Sequence, residues 1–373
     1  MKEPATRDPK LQRVGPALDQ VARFLQRLAE QGWQRTTAVT LKEIRTVAQV
    51  AHHARLVRLQ RELARLETQL KRYLDRDPSF SPAGLLGTVN RVWLLERAIR
   101  GATDRATSIA DLEPIAGTPR RTYRPVEGMI DVVVGAAHGW VTDSGYVGVT
   151  AHLWHRDEKR WLQATMARPD RMVGPDPARL LRMPLSDATP LTMQEFCHGA
   201  WTLDDVRLSS DGRVSLHSEL VVVPTAIAAR QGLATVAAEN FLAIVDRLEG
   251  APSGPLDGTP QSLVYIEGIQ IDRPLVDDTR ARVFAGVRDR QGRRLEVTVP
   301  LRPEHDVLID NLELCATPAW SPEGLIAEAS LVGDQVVLSP LSAVFARPVS
   351  IGRRVKSAHL VHLTVEPLKR AKR

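Results

Sequence analysis

Trp154-His-Arg-Asp-Glu-Lys-Arg-Trp-Leu-Gln-Ala-Thr-Met-Ala-Arg-Pro169 has a faint echo further along the chain, at Arg288-Asp-Arg-Gln-Gly-Arg-Arg-Leu-Glu-Val-Thr-Val-Pro-Leu-Arg-Pro303. Both run Arg-Asp, a polar tip, Arg, Leu, Thr and Arg-Pro in the same order. Each reads as a β-hairpin: a strand, a charged turn, a return strand, and a stop at Pro, which has no N–H to continue a ladder. The echo extends outward. Cys197 and Trp201 follow the first stretch as Cys315 and Trp320 follow the second. The hairpin Val206–Leu216, turned by Asp211-Gly212, parallels Ile326–Leu338. Pro-to-Cys spacing is 28 residues in one copy and 12 in the other, an excess that Asp170–Ser186 supplies as a surface insertion. Two related β-units are therefore expected, at 123–230 and 262–346. With roughly five strands each they fit small antiparallel barrels of the OB type better than a sandwich of about seven strands.

The residues before them have a helical period. Leu18, Val21, Leu25 and Leu28 predict a helix over 16–31, with Pro16 in its first turn and Gly32 ending it. A longer helix is expected over 40–74. Leu56, Leu59, Leu63, Leu66, Leu70 and Tyr73 alternate spacings of three and four, with Arg and Glu on the outer side. Such a stripe packs on one partner helix, in this chain or another. Ser81-Pro82 opens a third helix, to about Ile99. The whole reads as an α+β multidomain chain: a helical assembly region (1–117), a first OB-like domain with a trailing helix (118–250), a second OB-like domain (261–346) and a basic tail (347–373). A Gly/Pro-rich linker, 250–260, separates the two β-domains.

Charge is unevenly spread. Residues 1–117 carry 20 Lys/Arg against 13 Asp/Glu, 118–346 carry 22 against 30, and 347–373 carry 8 against 1. A polyanion is drawn to the ends before the body. No apolar run approaches the ~18–20 residues that span a bilayer, and the N-terminus lacks a secretory signal's apolar segment. With two distant cysteines, these features lead us to expect a cytoplasmic protein without disulfides.

Chemistry-bearing motifs are sparse. His152/His155 and His359/His362 are three apart, which on strands puts them on opposite faces, and Cys197-His198 adds one more pair. Half-exposed strand histidines are the plainer reading, and no metal or cofactor is expected. Cys197 and Cys315 recur at matched places, which suits packing better than nucleophilic catalysis. His52-His53, Asp204-Asp205 and Asp277-Asp278 read as solvated or turn residues. No Gly-x-Ser-x-Gly or phosphate-loop pattern occurs. Two functions compete. The first is a non-catalytic scaffold or adaptor that binds protein partners, or itself, through the Leu56–Tyr73 stripe. The second is a single-stranded nucleic-acid-binding protein using Trp154, Arg156, Arg160, Trp161 and Arg168 of one hairpin and Arg280, Arg282, Arg288, Arg293, Arg294 and Arg302 of the other.

Overall fold

The computed structural model describes residues 8–78, 80–118, 122–142, 145–186, 189–225, 229–236, 238–250, 261–332, 335–351 and 358–368. The chain divides into a helical unit, to residue 121, and a β-unit from residue 122. Among the described residues no helix is long and apolar enough to cross a membrane.

The helical unit is a four-helix bundle of α1 (Val14–Gln31), α2 (Ala38–His53), α3 (Val57–Leu74) and α4 (Pro82–Thr103). Gly32, at φ +78°, ends α1, and the Ser81 hydroxyl accepts the Gly84 N–H to start α4. The expected single helix over 40–74 is broken at Arg55, which sits at φ +62°. The break lets the chain reverse, so Arg45 of α2 meets Glu67 of α3 at 2.5 Å. It also lets the leucines cover Ile44, Val47 and Ala51. Leu56, Leu59, Leu63, Leu66 and Leu70 are fully buried in one core with Val21, Phe24, Val92 and Ile99. Tyr73 closes the end of the row against Trp33 and Phe80. The stripe is thus a core seam of this bundle and not the assembly surface it resembled. Its neighbours, α2 and α4, belong to the same chain.

The β-unit holds two sheets built on one plan. In the first, β1 (Ile130–Thr142), β2 (Tyr146–His155) and β3 (Arg160–Pro169) form an antiparallel meander. A short helix, α5 (Met193–Cys197), precedes β4 (Ala200–Asp204), which returns to β1, and β5 (Arg213–Val214) lies parallel to β3. After α6 (Phe241–Glu249) the plan restarts. The segments β6 (Gln261–Glu267) and β7 (Gln270–Ile271), then β8 (Arg282–Arg288) and β9 (Arg294–Pro300), lead into α7 (Asp306–Cys315). Then β10 (Gly324–Val332) pairs with β6, and β11 (Gln335–Val349) runs parallel to β9. In both sheets the fourth strand joins the first, the third joins the fifth in parallel, and a helix sits before the fourth. These are OB-like folds, though neither ladder closes into a complete barrel. Cys197 and Cys315 each end that helix and are buried.

Two readings need correcting. The segment from 347 is more than a tail: β11 runs to Val349, and β12 (Ala358–His362) pairs with it. Leu363, Val365 and Leu368 are buried behind it. Its apolar alternation outweighs its basic composition. Lys369–Arg373 and most of the 250–260 linker lie outside the described residues. Arg280, expected on the second hairpin with Arg282, lies outside its strands. It stands in the turn before β8, where Ala281 has φ +46°.

Placing two carboxylates in the bundle core should destroy it. Leu63→Asp with Leu66→Asp is expected to abolish the cooperative unfolding transition of the helical unit, and Leu63→Ala to cost about 2–5 kcal/mol. Urea titration followed by circular dichroism measures both. A double variant that keeps its helicity and changes only its sedimentation coefficient would instead make the stripe a seam between molecules.

Candidate functional site

Strand alternation builds the site. From β1, β2 and β3, Val132, Val134, Ala137, Val147, Val149, Ala151, Leu153, Leu162, Ala164 and Met166 point into the first sheet's own core. The intervening residues make the outer face, and a bulge between Val134 and Ala136 resets the phase of β1. Register then aligns Trp140 with Gly148, and His138 with Thr150 and Thr165. It also aligns His152 with Gln163 and Arg213, and Trp154 with Trp161.

One end of this face is sealed. Val133, Ala136, Trp154 and Trp161 pack against Tyr265, Ile326, Leu341, Val344 and Leu360 of the second sheet. The two tryptophans meet edge to face at 5.2 Å, and Trp161 lies so close over Gly135 that a Cβ there would be 2.6 Å from its ring. The other end is a groove of about 840 Å³. It is lined by His138, Trp140, Thr142, Thr150, His152, Trp161, Gln163, Asp211 and Arg213, with Ser262, Leu263 and Glu328 of the second sheet as the facing wall.

The groove is preorganised. The Trp140 indole lies on Gly148, where any Cβ would overlap it, and its Nε1–H donates to Thr150 Oγ1 at 3.0 Å. His138 and His152 stack, with Nδ1 and Nε2 3.1 Å apart. Burial, helped by Arg213, pushes them down to about 4 and about 3, so both are neutral near pH 7. Arg213 is held by Asp211 at 3.7 Å. Gln163 and Glu328 have no side-chain partner among the described residues, and burial raises the Glu328 pKa.

A second cluster lies deeper, where β12 meets the first sheet. Ala137 N–H donates to His362 Nδ1 at 3.1 Å, Ser342 Oγ lies 2.8 Å from the same nitrogen, and His362 Nε2 faces the Cys197 carbonyl at 3.0 Å. Nδ1 is therefore an acceptor and Nε2 carries the proton. Glu366 accepts from His198 Nε2 at 2.6 Å and from the His362 backbone N–H at 3.0 Å. His198, His362 and Glu366 are close enough to suggest a metal site. However, the protonated Nε2 of His362 has no lone pair to offer, and both Glu366 oxygens are engaged. Nor is it a catalytic triad: Ser342 is fully buried, and Glu366 bonds the backbone of His362 and not its ring. It is a clasp between the two sheets. Burial raises Cys197 well above the ordinary thiol range and pushes Cys315 up to about 12, so neither thiol is a ready nucleophile.

Of the nucleic-acid candidates read from sequence, Trp161 alone lines the groove; His152, read there as a half-exposed strand histidine, lines it too. Trp154 is buried in the seal. Arg156 pairs with Asp131, Arg160 with Glu158, Arg280 with Asp277, and Arg282 with Asp277 and Glu296. Arg288 and Arg294 share Asp272, Arg293 pairs with Asp289, and Arg302 with Glu304. Arg168 bonds the Ala167 carbonyl. The hairpin arginines are spread over local carboxylates and do not converge. His152 and His155 are buried, not half-exposed, and serve different partners: His155 accepts the Glu158 N–H. Trp140, His138, Gln163, Arg213 and Glu328 were missed. The available signal was period two in β1, which puts His138 and Trp140 on one face.

Residues 14–117 match a family model described as the YehQ four-helical bundle domain, which spans the four helices and less than a third of the chain. No curated protein matches the sequence. Among solved structures, the chain is similar to the HINa domain of Ifi202 in complex with 20-bp double-stranded DNA (10% identity, 58% of this chain, 94% of that one, TM-score 0.30). It is also similar to p202 HIN1 in complex with 12-mer double-stranded DNA (11%, 59%, 92%, 0.31). A third similar structure is a replication protein A heterotrimer bound to single-stranded DNA (10%, 57%, 49%, 0.29). Likeness at these scores carries nothing about a ligand.

The buried histidines make the β-unit acid-sensitive. Burial depresses His138, His152 and His362 to about 4, 3 and 4 from an ordinary 6.5. The unfolded chain therefore takes up protons first, and stability falls as pH drops from about 6.5 toward 4, by up to ~3 kcal/mol per histidine. The urea midpoint of the β-unit should decline across that window, and His362→Gln should flatten the decline. A midpoint that stays constant from pH 7 to 4.5 contradicts the assignment.

Proposed function

We propose that this chain is a non-catalytic binding protein of the adaptor type, and that the groove beside the sealed face is its capture surface. The observation that supports this most is the groove's lining. A space of about 840 Å³ is floored by a fixed indole and edged by Gln163 and Glu328, whose side-chain polar groups find no partner among the described residues. Buried or half-buried polar groups carry a desolvation cost unless a partner meets them, and a preformed site with unmet groups is suited to a ligand. The helical unit would meet other proteins through its outside, where Leu86 and Trp93 stand exposed on α4. Neutral histidines and an Arg213 already matched by Asp211 favour a protein segment over a polyanion.

A second reading, single-stranded nucleic acid, has one observation in its favour. Trp140 lies flat on the sheet formed by the first three strands, where OB-type folds stack bases. The eight hairpin arginines already facing carboxylates weigh against it.

Selection of peptides from a random display library on the full chain separates the two. Peptides are expected to bind in the micromolar range, with Trp140→Ala and Gln163→Ala each weakening them about tenfold, ~1.4 kcal/mol. Affinities untouched by either variant would remove the groove from the mechanism. An oligothymidylate that binds with a steep salt dependence and is lost in Trp140→Ala would select the nucleic-acid reading.

A further inference from the structure

Glu328 stands on β10 between Ala327 and Ala329, both buried in the second sheet's core, so its side chain points to the opposite face. There its cross-strand neighbours are Leu263 on β6 and Ser339 on β11, and Ile326, two residues away, belongs to the apolar seal. A carboxylate at the edge of this seal loses part of its water and gains no partner among the described residues. Among the described residues no hydrogen bond or ion pair reaches it, and burial is the sole cause acting on its proton affinity.

The other charged groups of the groove do not compensate it. Arg213 is matched by Asp211, and His138 and His152 on β1 and β2 are neutral. The lining therefore carries one excess negative charge, set opposite two indoles. A half-desolvated carboxylate facing aromatic rings suits a cationic side chain, which gains a charge-assisted hydrogen bond and a cation–π contact together. A phosphate would meet repulsion at the same spot.

We propose that Glu328 is a cation anchor, and that the groove's ligand is a basic protein segment whose Lys or Arg side chain is seated between Glu328 and the Trp140/Trp161 side. This rests on the groove being the capture surface.

The test uses the full chain and two fluorescein-labelled heptapeptides, one alternating Lys and Arg with Ala, the other carrying Gln at every basic position. Anisotropy should show the basic peptide binding at least tenfold more tightly than the neutral one. Glu328→Gln, nearly the same shape, should abolish that preference and leave the thermal midpoint equal or higher. Glu328→Lys should exclude the basic peptide altogether. Equal binding of the basic peptide to wild type and Glu328→Gln overturns the proposal. If display-selected peptides are sensitive to Trp140→Ala yet show no basic preference, the anchor fails while the capture surface stands. If no peptide of any kind is sensitive to Trp140→Ala, both fall.

Discussion

The contact between Trp154 and Trp161 of the first sheet and the apolar patch around Tyr265, Ile326 and Leu360 of the second is what everything else in the β-unit depends on. An OB-like sheet has a filled inside and an outer face that must be either wet or covered. Here one end of that face is covered by the second sheet. This fixes where the uncovered part begins, and it supplies Ser262, Leu263 and Glu328 as a wall. Without the seal there would be two separate small folds, each with a shallow face, and no groove. Gly135 is the local condition for the seal, since any side chain there would collide with Trp161.

The clasp at His362 answers a different need. β12 leaves the second sheet's edge and runs under the first, where Ala137 N–H would otherwise be buried without an acceptor. A neutral imidazole meets that N–H on one nitrogen and the Cys197 carbonyl on the other, and Glu366 meets the next backbone N–H. Each participant is spent on a neighbour. The same Ser–His–Glu composition that suggests hydrolysis in a list of residues therefore has an imidazole whose one lone pair is taken up, and a buried serine with no open space for a substrate. The assignment turns on which nitrogen holds the proton, and the backbone decides that.

Much of the fold was legible because periodicity records which face is buried. The change from helical to two-residue period near Tyr123, the paired hairpins, and the matched Cys197 and Cys315 all belong to packing, which a sequence states directly. The Leu56–Leu70 row stated its burial but not its partner. Nothing in a heptad tells whether the covering helices are α2 and α4 of the same chain or belong to another molecule. The break at Arg55 was hidden because Ala54, Arg55 and Leu56 are all compatible with helix, and only the tertiary gain of folding back selects φ > 0 there. The site was less legible still. The charged hairpin tips stand out in the sequence, yet a charge in sequence carries no sign of its neighbour. Arg288 and Arg294 are both taken up by Asp272, from a different segment. The groove was assembled from residues more than a hundred positions apart, His138 facing Glu328. It was marked only by the parity of β1 and by Gly148 opposite Trp140.

Charge distribution now has a structural meaning. Residues 118–346 hold 30 acids against 22 bases, and most of the hairpin arginines are balanced within a few ångströms. Pairing of this kind contributes little stability at an exposed surface, ~0–1 kcal/mol each. Its larger consequence is to cancel the field that a run such as Arg288–Arg294 would otherwise project. What remains is the uncancelled acidic excess, and among the described residues Glu328 is one carboxylate that is both partly desolvated and in an open groove. A binding surface is defined by the groups that the fold leaves unmatched, and those are fewer and differently placed than the groups that stand out in the sequence.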